Sequence, residues 1–165
     1  MIWQEIQIDL EGDFARGYAL AKHLGCTESM DRNTIKGKSY TWGGTEVDDY
    51  GYDDGDFSGH RVLTDEEADE LAYEVIVEEL WSFSSSFLAG ETGIDEEVFI
   101  ALANNGKCES NNDAVTSLIK SSCGLQEFVD SAVGHDGRGH FINRYDGNEH
   151  EVKVGRKTFY IYRVD

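Results

Sequence analysis

A chain of 165 residues with 39% apolar and 12% aromatic side chains can form one domain with a real core, and its composition is not that of a disordered polymer. The 33 acidic against 14 basic side chains give a formal charge of -19. This argues against direct binding of nucleic acid, which needs Lys and Arg to displace counterions from phosphates, and against anionic membrane surfaces.

No apolar run approaches the ~20 residues that span a bilayer. The acidic, alternating start MIWQEIQIDLEGD is unlike a signal peptide, so a soluble cytoplasmic protein is expected. Ile2, Ile6, Ile8 and Leu10 fall on one side at period two and predict a strand over residues 2–10. Asp13 can cap a helix through His23, with Phe14, Tyr18, Ala21 and Leu24 near one face and Gly25 closing it. Residues 26–63 are turn-rich; KSYTW (38–42) is the one strand expected there, broken by Gly43 and Gly44.

The clearest helix is LTDEEADELAYEVIVEELW (63–81). Thr64 with Glu67 forms a capping box, and Ala68, Leu71, Ala72, Val75, Ile76 and Leu80 form the stripe to be buried. Shorter helices are expected within 82–93, ending at Gly90, over 96–104 with Asp95 as cap, from Ser110 or Asn112 to Lys120, and over 125–133 with Gly134 as the stop. EHEVKVGRKTFYIYRVD (149–165) reads as a hairpin turning near Gly155. The order predicts an α+β fold in a single domain, residues 1–165, with an N-terminal strand, an acidic loop, several helices and a C-terminal hairpin.

The charge is concentrated. Residues 44–79 carry fourteen acids and one base, Arg61, and so hold 13 of the 19 excess negative charges. Uniform salt adaptation has no reason to gather charge in one segment, so an acidic face for a basic partner is the better reading. Within it, DDYGYDDGD (48–56) fails as a calcium loop: counted from Asp49, position 3 is Gly51, position 6 is Asp54 and position 12 is His60. Carboxylates interleaved with tyrosines suit a surface that meets Lys and Arg, the rings adding cation–π contacts. Glu70, Glu74 and Glu78 follow at four-residue spacing with no cation on the helix to offset them. The expected partner-binding residues are Asp48, Asp49, Tyr50, Tyr52, Asp53, Asp54, Asp56, Glu66, Glu70 and Glu74.

A second stretch, GHDGRGHFINRYDG (134–147), supplies the alternative. His135, Asp136, Arg138, His140 and Asp146 could hold a phosphate or a metal in a small enzyme or ligand-binding domain. The spacing matches neither a phosphate-binding glycine motif nor a zinc pattern, so a structural turn feeding the hairpin, pinned by Asp136 and Arg138, is expected instead. The cysteines Cys26, Cys108 and Cys123 are odd in number and not at CxxC spacing, so free thiols are expected. No nucleophile lies in a catalytic motif, and no cofactor, metal or catalytic residue is expected.

The run from Asp136 to Glu149, DGRGHFINRYDGNE, followed by FYIYR (159–163), resembles a group of small bacteriophage and prophage proteins. FLAGETG (87–93) and NNGKCESNN (104–112) share that character. The resemblance covers the C-terminal half and leaves out the acidic segment. It implies a mobile-element origin and no activity. In charge and size the chain is also similar to acidic phage proteins that inhibit host defence, the DNA-mimic anti-restriction and anti-CRISPR type. That likeness implies a basic, nucleic-acid-binding host protein as partner, bound in the host cytoplasm, with no direct contact to nucleic acid or membrane.

Overall fold

The computed structural model describes residues 16, 19, 20, 22–24, 39–42, 45–48, 56, 57, 59–103 and 109–164, of which 39–42, 45–48, 56 and 57 are described by their backbone. The chain is α+β and divides into two compact units, residues 1–68 with 142–165, and residues 69–141. The strand expected over 2–10 and the loop 49–55 lie outside the described residues.

In the first unit, β1 (Ser39–Trp42) pairs antiparallel with β2 (Thr45–Asp48), with Trp42 opposite Thr45. β1 ends at Trp42, before Gly43 and Gly44, as the sequence suggested; β2 is a strand that the sequence reading did not expect. β3 (Asp56–Phe57) and β4 (His60–Leu63) are likewise strands in a stretch read as turns. Two- and four-residue strands are too short to show a period, which is why the pattern missed them. Gly59, at φ 72°, supplies the left-handed residue beside their tight turn.

The terminal hairpin forms as expected from β5 (His150–Val154) and β6 (Lys157–Arg163), with Gly155 at φ 62° in the turn. With β3 and β4 it makes an antiparallel sheet of order β3-β4-β6-β5. Cross-strand partners share a face. Val62, Ile161, Phe159, Val152 and Val154 fall on one face, and all are buried. Leu63 and Tyr162 lie on the other face, also buried, and the Tyr162 hydroxyl donates to the Glu149 carboxylate.

Arg16, Ala19, Leu20, Lys22 and His23 are helical, and Ala19 and Leu20 are fully buried in this unit. The Arg16 guanidinium donates to the Val62 carbonyl at 2.9 Å and grips both oxygens of Glu67. That hydrogen bond is the main reason the Glu67 carboxyl lies below its ordinary range. Asn143, a buried polar residue, donates to the Asn148 carbonyl at 2.8 Å and accepts from the Tyr145 and Asp146 amides at 3.0 Å, which fixes the approach to β5.

α1 (Asp65–Glu78) starts in the first unit and continues into the second. The capping box is present: the Glu67 amide donates to Thr64 Oγ1 at 3.3 Å, and the Thr64 amide donates to Glu67 Oε2 at 3.0 Å. Thr64→Ala is expected to destabilise the protein by about 1 kcal/mol, read as a lower urea midpoint with an unchanged m-value.

The second unit packs helices around Ile76, Leu80, Leu88, Phe99, Val115, Ile119, Phe128, Val129 and Ala132. After a 3-10 turn, Leu80–Ser82, come α2 (Ser85–Thr92), α3 (Glu96–Ala103), a second 3-10 turn (Glu109–Asn111), α4 (Asn112–Lys120), α5 (Leu125–Asp136) and α6 (Arg138–Ile142), whose last residue belongs to the first unit. Asn112 clamps the end of α1: its carboxamide accepts from the Trp81 amide at 3.1 Å and donates to the Val77 carbonyl at 2.9 Å.

Two helix stops differ from expectation. Gly90 and Gly134 lie inside α2 and α5, which end at Gly93 (φ 70°) and Gly137 (φ 80°). An exposed glycine costs a helix only about 1 kcal/mol relative to Ala, whereas a positive φ ends it outright.

Candidate partner-binding surface

α1 separates its two sides cleanly. Ala68, Ala72 and Ile76 are fully buried, while Asp65, Glu66, Asp69, Glu70, Glu74 and Glu78 are exposed. Asp65 and Glu66 gain from the positive end of the helix dipole; Glu70, Glu74 and Glu78 lie beyond it, and no basic residue sits in the last turn to favour Glu78. Like charges four apart cost the helix ~0.2–0.5 kcal/mol a pair.

Within the second unit, Asp69, Glu70 and Glu74 line an open groove of about 410 Å³ together with Tyr73 and Gln126. Gln126, in the first turn of α5, donates to Asp130 one turn on at 2.9 Å. Arg138 pairs with Asp69 at 2.9 Å; the arginine side chain is 10% exposed and the aspartate 67%. The bridge thus tethers the cation and leaves the carboxylate on the surface. Residues 69–141 contain fourteen acidic and three basic side chains, so the field over this unit is strongly negative. Carboxylates beside a half-buried tyrosine can take the ammonium or guanidinium of a partner and will repel a phosphate.

Of the residues expected to bind a partner, Glu66, Glu70 and Glu74 stand exposed on one helix. Asp48 ends β2 opposite Ser39, and Asp56 begins β3 opposite Arg61, both placed by backbone alone. Asp49, Tyr50, Tyr52, Asp53 and Asp54 lie outside the described residues.

The 134–147 stretch is a helical junction more than a turn feeding the hairpin. His135 and Asp136 are the exposed end of α5; the His135 ring nitrogen Nδ1 lies 2.8 Å from the Ser131 carbonyl, and the ring meets Phe87 edge-on. Arg138 opens α6 and is held by Asp69, so it pins the junction to α1. His140 is exposed, its ring edge-on to Phe141. Asp146 belongs to the first unit and accepts from the Asn148 amide at 3.0 Å, the largest of the effects that lower its pKa. Among the described residues, no group of three His, Cys, Asp or Glu side chains has the geometry to hold a metal ion.

A cluster the sequence reading did not anticipate joins His23, His60 and His150, with the His23 ring centroid 4.6 Å from that of His150 and 6.3 Å from that of His60. Period two would have put His60 with Val62 and His150 with Val152 on one face. Their approach depends on β6 lying between β4 and β5, which no local pattern encodes.

Comparison with family models, curated proteins and solved structures gave no match. Among the described residues no helix is long and apolar enough to cross a membrane.

Proposed function

We propose that the protein is a non-enzymatic binding protein that occupies a Lys/Arg-rich nucleic-acid site on a basic host protein, as a phage-encoded inhibitor of host defence would. The observation that carries this reading is the exposed acidic side of α1, where Asp69, Glu70 and Glu74 line a groove with Tyr73 and the helix supplies no cation to balance them. The mechanism is competitive exclusion: carboxylates take the places that phosphates would fill, and the negative field steers a basic surface into contact. The cytoplasm, where such host proteins act, is the proposed location. The alternative of a phosphate or metal site near residues 134–147 has less support, because Arg138 is already engaged by Asp69, His135 Nδ1 lies against the Ser131 carbonyl, and no three metal-ligating side chains gather among the described residues.

The test is competition. Immobilised protein is used to capture a basic nucleic-acid-binding protein from bacterial lysate, and the captured protein is then titrated with a labelled DNA duplex in the presence of this chain. Mutual displacement of chain and duplex supports the reading; simultaneous binding of both refutes it. Arg138→Ala is expected to leave capture within about twofold of wild type, since a near-buried cation that neutralises part of the acidic face contributes nothing to binding a basic partner.

A further inference from the structure

Three of the chain's five histidines meet within the first unit. His60 lies on β4 and His150 on β5, the two strands that flank β6, and both share the sheet face that buries Val62 and Ile161. His23 comes from the N-terminal helical residues, and its ring packs against both, tilted 40° to His150 and edge-on to His60. Those helical residues are also tied down at their other end, where Arg16 holds the Val62 carbonyl and the Glu67 carboxylate, and beside the cluster, where Lys22 Nζ donates to the Lys153 carbonyl at 2.8 Å. The imidazoles thus sit at one end of the seam that fastens the helical residues carrying Ala19 and Leu20 to the sheet.

We propose that the packing of His23 against His60 and His150 is a pH-sensitive latch, closed while His23 is neutral and opened by its protonation, which releases the N-terminal helical residues from the sheet.

Charged groups of both signs lie on the elements around the cluster. Lys22 stands beside His23, and Arg163 pairs directly across from His60 on β6, its guanidinium stacked 3.6 Å from the centre of the Tyr145 ring. The carboxylate that senses His150 is the exposed Asp146, already committed to the Asn148 amide. Glu149 is held by Tyr162, and Glu151 points from the opposite face, 3.5 Å from Lys153. Protonation of His23 would place a positive charge against two further imidazoles, and His150 and His60 both oppose it.

Burial first, then the neighbouring His150 and His60, hold the His23 imidazole below its ordinary value of 6.5. The sign follows from linkage. The released histidine takes up a proton at its ordinary pKa while the packed one resists, so the closed form is fully favoured above pH 6.5 and is lost as pH falls from there toward the lowered value. The Arg16–Glu67 clamp titrates separately, because Glu67 is held below its ordinary 4.5 and keeps its charge throughout this window.

Hydrogen–deuterium exchange of the full chain between pH 7.5 and 5.5, corrected for intrinsic exchange rates, tests the latch. In wild type the opening of peptides covering residues 16–24 is expected to rise by up to roughly tenfold per pH unit below pH 6.5, one proton being taken up on opening. Peptides from α4 and α5 should keep their protection. His23→Gln should flatten the profile at residues 16–24; if that variant fails to fold, His150→Gln should reduce the slope. A wild-type profile without pH dependence, an equal rise in the histidine variants, or a simultaneous rise in α4 and α5 would overturn the proposal.

Discussion

Changing Glu66, Glu70 and Glu74 together to glutamine is expected to slow association with the basic partner by roughly tenfold or more at low salt, and to flatten the salt dependence of that rate. The same variant should be nearly as stable as wild type. Glu66 lies in the first turn, where losing its charge removes ~0.3–1 kcal/mol of interaction with the helix dipole. Neutralising Glu70 and Glu74 relieves like-charge pairs with Glu66 and Glu78 worth ~0.2–0.5 kcal/mol each. The two effects offset one another, so the melting temperature should move by no more than a few degrees. All three side chains are exposed, so no core contact is lost. This separation of stability from binding gives the variant its value. A matching salt titration of wild type should show the association rate falling steeply between about 50 mM and 500 mM, as screening shortens the Debye length below 10 Å.

Phe128→Ala is expected to have the largest effect on stability, about 3–5 kcal/mol. Phe128 is fully buried in the second unit and meets Phe83 and Phe87 edge-on, at centroid separations of 5.2 and 5.5 Å. Truncation removes both aromatic contacts, each worth ~0.5–1.5 kcal/mol beyond its area, and leaves a cavity. Phe83 and Phe87 stack on each other at 5.5 Å and cannot both collapse into the void without breaking that contact. Against a total stability of about 5–15 kcal/mol for a domain of this size, much of the margin disappears, and chemical denaturation should show a large fall in midpoint. Phe128→Leu keeps most of the volume and should lose less than half as much.

Long helical elements were legible in the sequence because an apolar stripe and a Thr64–Glu67 box are local signals; the box appears as read, and of the stripe Ala68, Ala72, Ile76 and Leu80 are buried while Leu71 and Val75 are half-buried. The hairpin was legible because Val152, Val154, Phe159 and Ile161 alternate around Gly155. Short strands were not, since β3 and β4 owe their place to pairing with each other and with β6. Helix ends at Gly93 and Gly137 were misplaced because composition reveals a glycine but not its φ. The candidate surface was legible as far as the exposed carboxylates of α1. Tyr73 and Gln126 as groove partners, Arg138 as the mate of Asp69, and the meeting of His23 with His60 and His150 all depend on contacts distant in the sequence.

The central claim is that the acidic side of α1 meets a basic nucleic-acid site. It is tested most directly by measuring whether the wild-type chain and its E66Q/E70Q/E74Q variant displace a labelled DNA duplex from the captured basic protein. The account predicts displacement by wild type that weakens with salt, and displacement by the variant that is at least tenfold poorer at low salt. Equal displacement by the two proteins, or a ternary complex with the duplex still bound, would contradict it.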